Sequence, residues 1–392
     1  MPEKSVKPNK RAGWRILGFV TPRFITKKFN YSCDEAGGDS PRLIVSNHVT
    51  NTDPFFVGQA FINCPPPAFV ASEHLLRLGI VSKLITLFTE VIPRSKAASG
   101  AGTVKACLRA IRGGRSVVLF AEGDCTWDGV THDVFPATGK LAKASGAELV
   151  TFRIEGGYLS HPRWCRETRP MEMYGRIVNT YSPEQLKAMS AEEVSAAINA
   201  DIYEDAWERQ RRERVKIPLD RRAEGLEKAL VVCPKCGGLG TMFSKDNTVF
   251  CRECGMNAYV DEYGFFEEGS MFPTVAEWDA WQKRALEELV KSGGAKNAPR
   301  FKGKLTKLSE GGKGRDKPIK AVLSLDPSLT SMEADDKRFG FDEIDDMSMV
   351  KTERLLFYAT DGYYEFKTDS GPLRTVLLAW QASRAGKQEG SC

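Results

Sequence analysis

The sequence predicts an α/β domain with a mixed sheet flanked by helices, then a small cysteine module, then a C-terminal β-barrel or sandwich capped by a helix. Three observations lead there. Between roughly residues 40 and 178, short apolar runs alternate with helical patterns, as in sheets whose strands are joined by helices. Near residue 230 the composition turns to paired cysteines and glycines. Beyond it lie several strand patterns and a single closing helix pattern. At 392 residues the chain is long enough for two or three domains and a sizeable core.

The elements follow in order. Residues 1–30 carry eight basic side chains (Lys4, Lys7, Lys10, Arg11, Arg15, Arg23, Lys27, Lys28) against one acid, Glu3, interleaved with Trp14, Ile16, Leu17, Phe19, Val20, Phe24 and Ile25. Such a stretch reads either as an amphipathic segment facing a membrane interface or as a helix packed on its own domain with its lysines outward. Pro22 is expected to interrupt any single long helix here. Residues 31–215 form the α/β domain. In it "RLIVSNH", "FVASE", "SVVLFAEG", "AELVTFRI" and "MEMYGRIV" read as strands, "TVKACLRAIRGG" and "GKLAKASG" as helices, and "GIVSKLITLFTEVIP" as a helix leading into a short strand. "SPEQ" from Ser182 supplies an N-cap, a first-turn proline and a capping-box glutamine. The helical stretch "EDAWERQRRERVK" follows.

Residues 216–230 read as a charged linker, 231–268 as the cysteine module, 269–296 as a linking helix capped by Thr274 and Glu277 and closed by Gly293, and 297–392 as the final domain. That domain opens with a Gly/Lys-rich linker. "AVLSL", "FGFDEI" and "RLLFYATDGYYEFK" are its expected strands, with Asp361-Gly362 as a two-residue hairpin turn, and "RTVLLAWQASR" is its closing helix.

Outside the N-terminal stretch the charge is nearly balanced within a net +5, so no nucleic-acid partner is expected. No run of ~18 uncharged apolar residues predicts a transmembrane helix, and no signal-peptide pattern is present. Six of the ten cysteines (Cys33, Cys64, Cys107, Cys125, Cys165, Cys392) are scattered without a framework, which suits a reducing cytoplasm.

The chemistry concentrates in "SNHVTNTDPFF", where His48 precedes Asp53 by five residues and Pro54 sets a helix start that would bend the two side chains together. "EVIPRS" and "FAEG" stand at the ends of later predicted strands, where α/β sheets hold their ligands. As an ordered set, these blocks resemble the glycerolipid acyltransferases of the lysophosphatidic acid acyltransferase type over roughly residues 10–210. Asn47, His48, Thr50, Asp53 and Pro54 match the N-H-x-[ST]-x-x-D-P block. Ile92, Pro93 and Arg94 match the second block, and Phe120, Glu122 and Gly123 match part of F-P-E-G-T-R-S.

The resemblance implies transfer of an acyl group from a thioester donor, acyl-CoA or acyl-carrier protein, to a lysolipid hydroxyl, with 1-acyl-sn-glycerol-3-phosphate the leading acceptor. His48 would be the general base and Asp53 its orienting carboxylate. Arg94 would bind the acceptor phosphate. Asn47, Glu122 and Gly123 would belong to the substrate pocket. The implied location is the cytoplasm, peripheral on the inner face of an anionic membrane. Alternatives are another lysophospholipid or glycolipid acceptor, or a non-catalytic lipid-binding adaptor. The third block departs from the family: Asp124-Cys125-Thr126 stand where it has Thr-Arg-Ser. An acid therefore sits beside the expected phosphate site, with Arg115, Lys140 and Lys143 as candidate compensators. His74, His132 and His161 have no partner pattern and read as structural.

Cys233-x-x-Cys236 and Cys251-x-x-Cys254, fourteen residues apart and each pair followed by glycine, read as a zinc ribbon holding a structural Zn²⁺. A redox pair or two disulfides is the alternative. The last ~90 residues are loosely similar to pleckstrin-homology-like or GRAM-like domains, which would imply binding of a lipid headgroup or a protein.

Overall fold

The computed structural model describes residues 8–72, 89–94, 100–309, 315–368 and 371–389. The chain divides into two compact units, Met1–Arg163 with Glu167–Glu213, and Trp164–Arg166 with Arg214–Cys392.

The first unit is built on a seven-stranded sheet. Its strands are β1 (Tyr31–Cys33), β2 (Arg42–Ser46), β3 (Ala68–Ser72), β4 (Glu90–Arg94), β5 (Val117–Phe120), β6 (Glu148–Glu155) and β7 (Met173–Tyr181). They lie in the order β1-β7-β6-β2-β5-β3-β4. All neighbours are parallel except β6 and β7. Leu43, Ile44 and Val45 of the central β2 are fully buried, as a strand covered on both faces requires. On one face Leu43 and Val45 join a core with Cys107 and Ile111 of α3 (Ala101–Arg112), Leu141 and Ala142 of α4 (Ala137–Ser145), and Val194 and Ile198 of α6 (Ala191–Ile202). On the other lie α1 (Pro8–Phe29) and α2 (Asp53–Ala60), where Tyr31 Oη donates to the Phe56 carbonyl at 3.0 Å. Ser182 caps α5 (Pro183–Ala188) and Ser190 caps α6, each in a complete capping box. The charged helix is α7, Ala206–Glu213.

Helix α1 corrects the expectation of a break at Pro22, since one helix runs from Pro8 to Phe29. An interior proline costs a helix about 3 kcal/mol. Here Trp14, Ile25 and Phe29 are buried along one face, and that packing offsets the lost bond. The approach to α2 is close: a Cβ on Gly58 would meet the Trp14 ring at 3.2 Å. The opposite face leaves Ile16 and Phe24 62% exposed among exposed Arg15, Arg23, Lys27 and Lys28. Of "GIVSKLITLFTEVIP", only the end that forms β4 lies within the described residues, and His74 lies outside them. No helix among the described residues is long and apolar enough to cross a membrane.

The second unit holds a three-stranded antiparallel sheet of β8 (Met242–Lys245), β9 (Thr248–Cys251) and β10 (Asn257–Tyr259), the helix α8 (Val275–Lys291), and a seven-stranded antiparallel sheet followed by α9 (Arg374–Glu389). That larger sheet has the order β14-β13-β12-β11-β17-β16-β15. Its strands are β11 (Arg300–Leu308), β12 (Ile319–Leu325), β13 (Ser331–Ala334), β14 (Lys337–Gly340), β15 (Ile344–Val350), β16 (Arg354–Ala359) and β17 (Gly362–Lys367). Asp279 of α8 is fully buried and held by Arg374 of α9 through two bonds at 2.6 and 3.0 Å. Burial opposes the Asp279 carboxylate, and the Arg374 and Lys283 cations outweigh it, holding the group well below the usual range.

Four sequence expectations change. Residues 216–230 are no linker, because Ala223, Leu226, Ala229 and Leu230 are buried in the unit's core. The Gly/Lys-rich linker is largely β11: Phe301 and Leu305 point inward while Lys302 and Lys304 are exposed, a period-two pattern hidden by its lysines. "FGFDEI" is the end of β14, one 3₁₀ turn and the start of β15. In the hairpin Ala359 pairs with Gly362, so Thr360-Asp361 make the turn and Gly362 begins the next strand.

Directly paired Lys320, Lys304 and Lys367 form a row across β12, β11 and β17. With Lys302 and Asp335 they line a cavity of about 560 Å³. The Asp335 carboxylate accepts the Val322 amide at 3.0 Å. Among the described residues, none of these four lysines is ion-paired.

Candidate active site

The predicted site residues lie on the loops leaving the C-terminal ends of β2 and β5, at the first residue of α2 and at the last residue of β4. β2 ends at Ser46, in register with Phe120 of β5. The next residue, Asn47, turns inward. Its amide donates to the Ile154 carbonyl at 3.0 Å and accepts the Ile154 N–H at 2.8 Å, at 1% exposure. Both ends of that amide tie β2 to β6, so the expectation of a substrate contact is corrected: Asn47 positions the residue after it.

His48 Nδ1 lies 2.8 Å from Asp53 Oδ2. Asp53 is the first residue of α2 and fully buried. Its carboxylate also accepts the Val49 N–H at 2.6 Å, the Thr50 N–H at 2.9 Å and the Thr50 hydroxyl at 2.7 Å. The loop thus wraps around one carboxylate, which fixes the imidazole in turn. The His48 ring stacks on Phe120 with centroids 4.5 Å apart, and its side chain remains 20% exposed. Burial works against the imidazolium, while Cys125 and Asp53 favour it more strongly and leave His48 well above its usual range.

Glu122 braces the same loop. Its two carboxylate oxygens accept the His48 N–H at 2.6 Å and the His132 N–H at 2.9 Å. Burial pushes its carboxyl up to about 7 against the pull of those two amides and the imidazole. Gly123 adopts φ +87°, and a Cβ there would lie 2.6 Å from the Phe135 ring and 3.0 Å from Arg94 Nη1. Arg94 lies over that ring, 4.6 Å from its centroid. Glycine is needed both for the left-handed backbone and for the close approach of the arginine. His48, Asp53, Glu122, Gly123 and Arg94 therefore form one connected cluster.

Three further residues escaped the sequence reading. Arg163 pairs with Asp124 at 2.6 Å and lies over the Trp127 ring at 4.1 Å. It, and none of the three expected compensators, neutralises the acid. Arg115 instead pairs with Glu90, Lys143 bonds the carbonyls of Leu186, Lys187 and Met189, and Lys140 is exposed on α4. Phe135 carries no motif. Cys125 was visible only as a departure from the family pattern, yet its Sγ lies 3.5 Å from both His48 ring nitrogens. His132 and His161 make local contacts, His132 Nε2 with Asp128 at 3.6 Å and His161 with Thr168 at 3.3 Å.

In the second unit the thiols of Cys233, Cys236, Cys251 and Cys254 all lie within 4.8 Å of one another, a set that could hold a metal ion. The Cys233–Cys254 and Cys236–Cys251 sulfur distances are 3.6 and 3.7 Å. Four ligands about 2.3 Å from a tetrahedral centre stand ~3.8 Å apart, so the donors fit. Backbone N–H groups of Cys236 and Lys235 face Cys233. At Cys251, burial opposes ionisation, but the Thr241 hydroxyl and the Cys254 and Glu253 amides bring the thiol down to about 6.

Among solved structures, the crystal structure of the 1-acyl-sn-glycerophosphate (LPA) acyltransferase PlsC from Thermotoga maritima is similar over 50% of this chain and 83% of that chain, at 16% identity and a TM-score of 0.40. The family model described as Acyltransferase matches residues 26–155. His48, Asp53, Arg94, Glu122 and Gly123 all lie within the residues that this family model matches.

Proposed function

We propose that this chain is an O-acyltransferase of glycerolipid synthesis. It moves a fatty acyl group from acyl-CoA or acyl-carrier protein to a lysolipid hydroxyl, with 1-acyl-sn-glycerol-3-phosphate as the first candidate acceptor. The observation that carries this reading is the His48–Asp53 pair at 2.8 Å, in one cluster with Arg94 at the strand ends. Asp53 selects the tautomer with hydrogen on Nδ1 and leaves Nε2 to take the proton of the attacking alcohol. Arg94 offers its guanidinium to the acceptor's phosphate. The Arg163 partner of Asp124 removes the repulsion that a bare carboxylate would exert on that phosphate.

The second unit and α1 serve the same task in this reading. The four thiolates would hold a structural Zn²⁺, which fixes the fold and leaves no open coordination position. The exposed Ile16 and Phe24 among basic side chains support peripheral attachment to the inner face of an anionic membrane. The lysine row supports a headgroup-binding role for the C-terminal domain, as its loose similarity to pleckstrin-homology-like or GRAM-like domains implies.

The test is thiol release from acyl-CoA and acyl-carrier protein donors, across phosphorylated and neutral lysolipids, with wild type and His48→Ala. Turnover with at least one pair, reduced ~10²–10⁴-fold in the variant, is expected. Liposome binding without turnover would favour the adaptor reading instead.

A further inference from the structure

We propose that helix α3 is a docking surface for acyl-carrier protein, so that the thioester held by that acidic protein is the donor this chain uses. The proposal rests on the acyl-transfer reading and selects between its two donors.

The charge pattern begins in the sequence. No Asp or Glu occurs between Glu90 and Glu122, while Arg94, Lys96, Lys105, Arg109, Arg112 and Arg115 all fall in that interval. Arg94 belongs to the site, and Arg115 pairs with Glu90. Lys105, Arg109 and Arg112 stand at i, i+4 and i+7 of α3, a spacing that sets three side chains on one helix face along about 10 Å. All three are exposed, while Cys107 and Ile111 of the same helix are buried in the core. None of the three is ion-paired among the described residues. Like charges at these spacings repel, so the stripe does not stabilise its own helix.

An anionic membrane and an acidic protein both answer to a basic stripe, and the surroundings favour the protein. Interfacial binding needs apolar side chains among the bases. Helix α1 has them in Ile16 and Phe24, whereas no large apolar side chain of α3 is exposed. The two helices lie on opposite faces of the sheet, so a membrane met by α1 leaves α3 to a soluble partner. Acyl-carrier protein is small and acidic, and it holds its acyl group on a flexible phosphopantetheine arm, which lets docking and chemistry occur at different places. Complementary charge of this kind selects the partner and speeds the encounter. The position suits that arm. Strands β4 and β5 are both parallel to β3, so α3, which joins them, runs back from the strand ends that hold the site. It starts at Ala101, a few residues after Arg94, and Lys105 lies one turn further on.

The experiment measures acyl transfer to lysophosphatidic acid by the full-length protein, with the same acyl chain on acyl-carrier protein and on CoA, across a salt series. Wild type is compared with a charge reversal (Lys105→Glu, Arg109→Glu and Arg112→Glu together) and with the milder neutral variant (Lys105→Gln, Arg109→Gln and Arg112→Gln together). With the carrier-bound donor, kcat/KM of wild type should fall with salt. The reversal should lower it about 10-fold or more and remove the salt dependence, with the neutral variant in between. Turnover of acyl-CoA, melting temperature and vesicle co-sedimentation should stay at wild-type values. Carrier kinetics that neither variant changes, equal losses with both donors from a variant that melts normally, or a wild type that uses acyl-CoA alone overturn the proposal. Loss confined to vesicle binding also overturns it and assigns the stripe to a membrane. If wild type turns over neither donor, the acyl-transfer reading falls, and the anisotropy of fluorescently labelled acyl-carrier protein decides the docking. Binding by wild type that the reversal abolishes upholds it, and no binding overturns it as well.

Discussion

The loops above β2 and β5 and the lysine row on β12, β11 and β17 treat charge in opposite ways. In the loops, Asp53 accepts from two backbone amides and a hydroxyl besides its histidine, Glu122 accepts two amides, and Asp124 is held by Arg163. In the row, like charges stand directly opposite one another, and none of them is ion-paired among the described residues. Charge satisfied in place fixes a geometry, which is what a base and its orienting carboxylate require. Charge left uncompensated weakens the sheet by roughly 0.2–1 kcal/mol per pair.

The sharpest way to break the first half of this comparison is Asp53→Asn. The amide would keep the shape and lose the imidazolium's partner, so kcat should fall about 10⁴-fold, the loss expected when the orienting carboxylate of a histidine base becomes an amide. Steady-state rates with any competent donor and acceptor check it.

Glu122→Gln comes next. Its NH₂ would face a backbone N–H of His48 or His132, leaving a buried donor unmatched at roughly 1–3 kcal/mol. Stability also changes with pH. The wild-type carboxyl titrates at about 7 when folded, against 4.5 as its ordinary value. The folded state binds that proton more tightly, so its contribution is fully present below about pH 4.5 and is lost as pH rises towards 7. The unfolding free energy from urea titrations should therefore fall between pH 5 and 8 in wild type relative to Glu122→Gln, by an amount on the order of 3 kcal/mol. Equal pH dependence would show that burial does not hold the proton there.

Arg163→Met uncovers Asp124. KM for a phosphate-bearing acceptor should rise roughly tenfold, ~1.4 kcal/mol, while a neutral acceptor is little affected. The smallest effects belong to the row. Lys304→Gln should raise stability by about 0.2–1 kcal/mol in the absence of anions and weaken binding to anionic vesicles by ~1 kcal/mol. Opposite signs in melting and vesicle co-sedimentation would sharpen the contrast, and equal signs would break it.

The contact between His48 and Asp53 was legible because a histidine and an aspartate straddling a turn into a proline-started helix can be read locally. So were the buried strands, whose apolar runs leave little choice, and the cysteine spacing. What escaped depended on residues far apart in sequence. Arg163 reaches Asp124 from a loop beyond β6, and Phe135 packs under Arg94 without any local pattern. Asn47 sits inside the motif, and only the position of Ile154 shows that its amide serves the sheet. β11 was misread because Lys302 and Lys304 on its exposed face mask Phe301 and Leu305 on the other. Pro22 was overruled by tertiary packing, since a local penalty of a few kcal/mol is small beside three buried aromatic and aliphatic side chains.

The pH dependence of acyl transfer, in wild type and Asp53→Asn, tests most directly whether neutral His48 is the base. With the imidazole raised well above its usual range, log(kcat/KM) should climb with unit slope through pH ~6.5, the ordinary imidazole value, and level off only well above it, and Asp53→Asn should move the inflection to lower pH while lowering the plateau. A flat profile, or an inflection that Asp53→Asn leaves in place, would contradict the assignment.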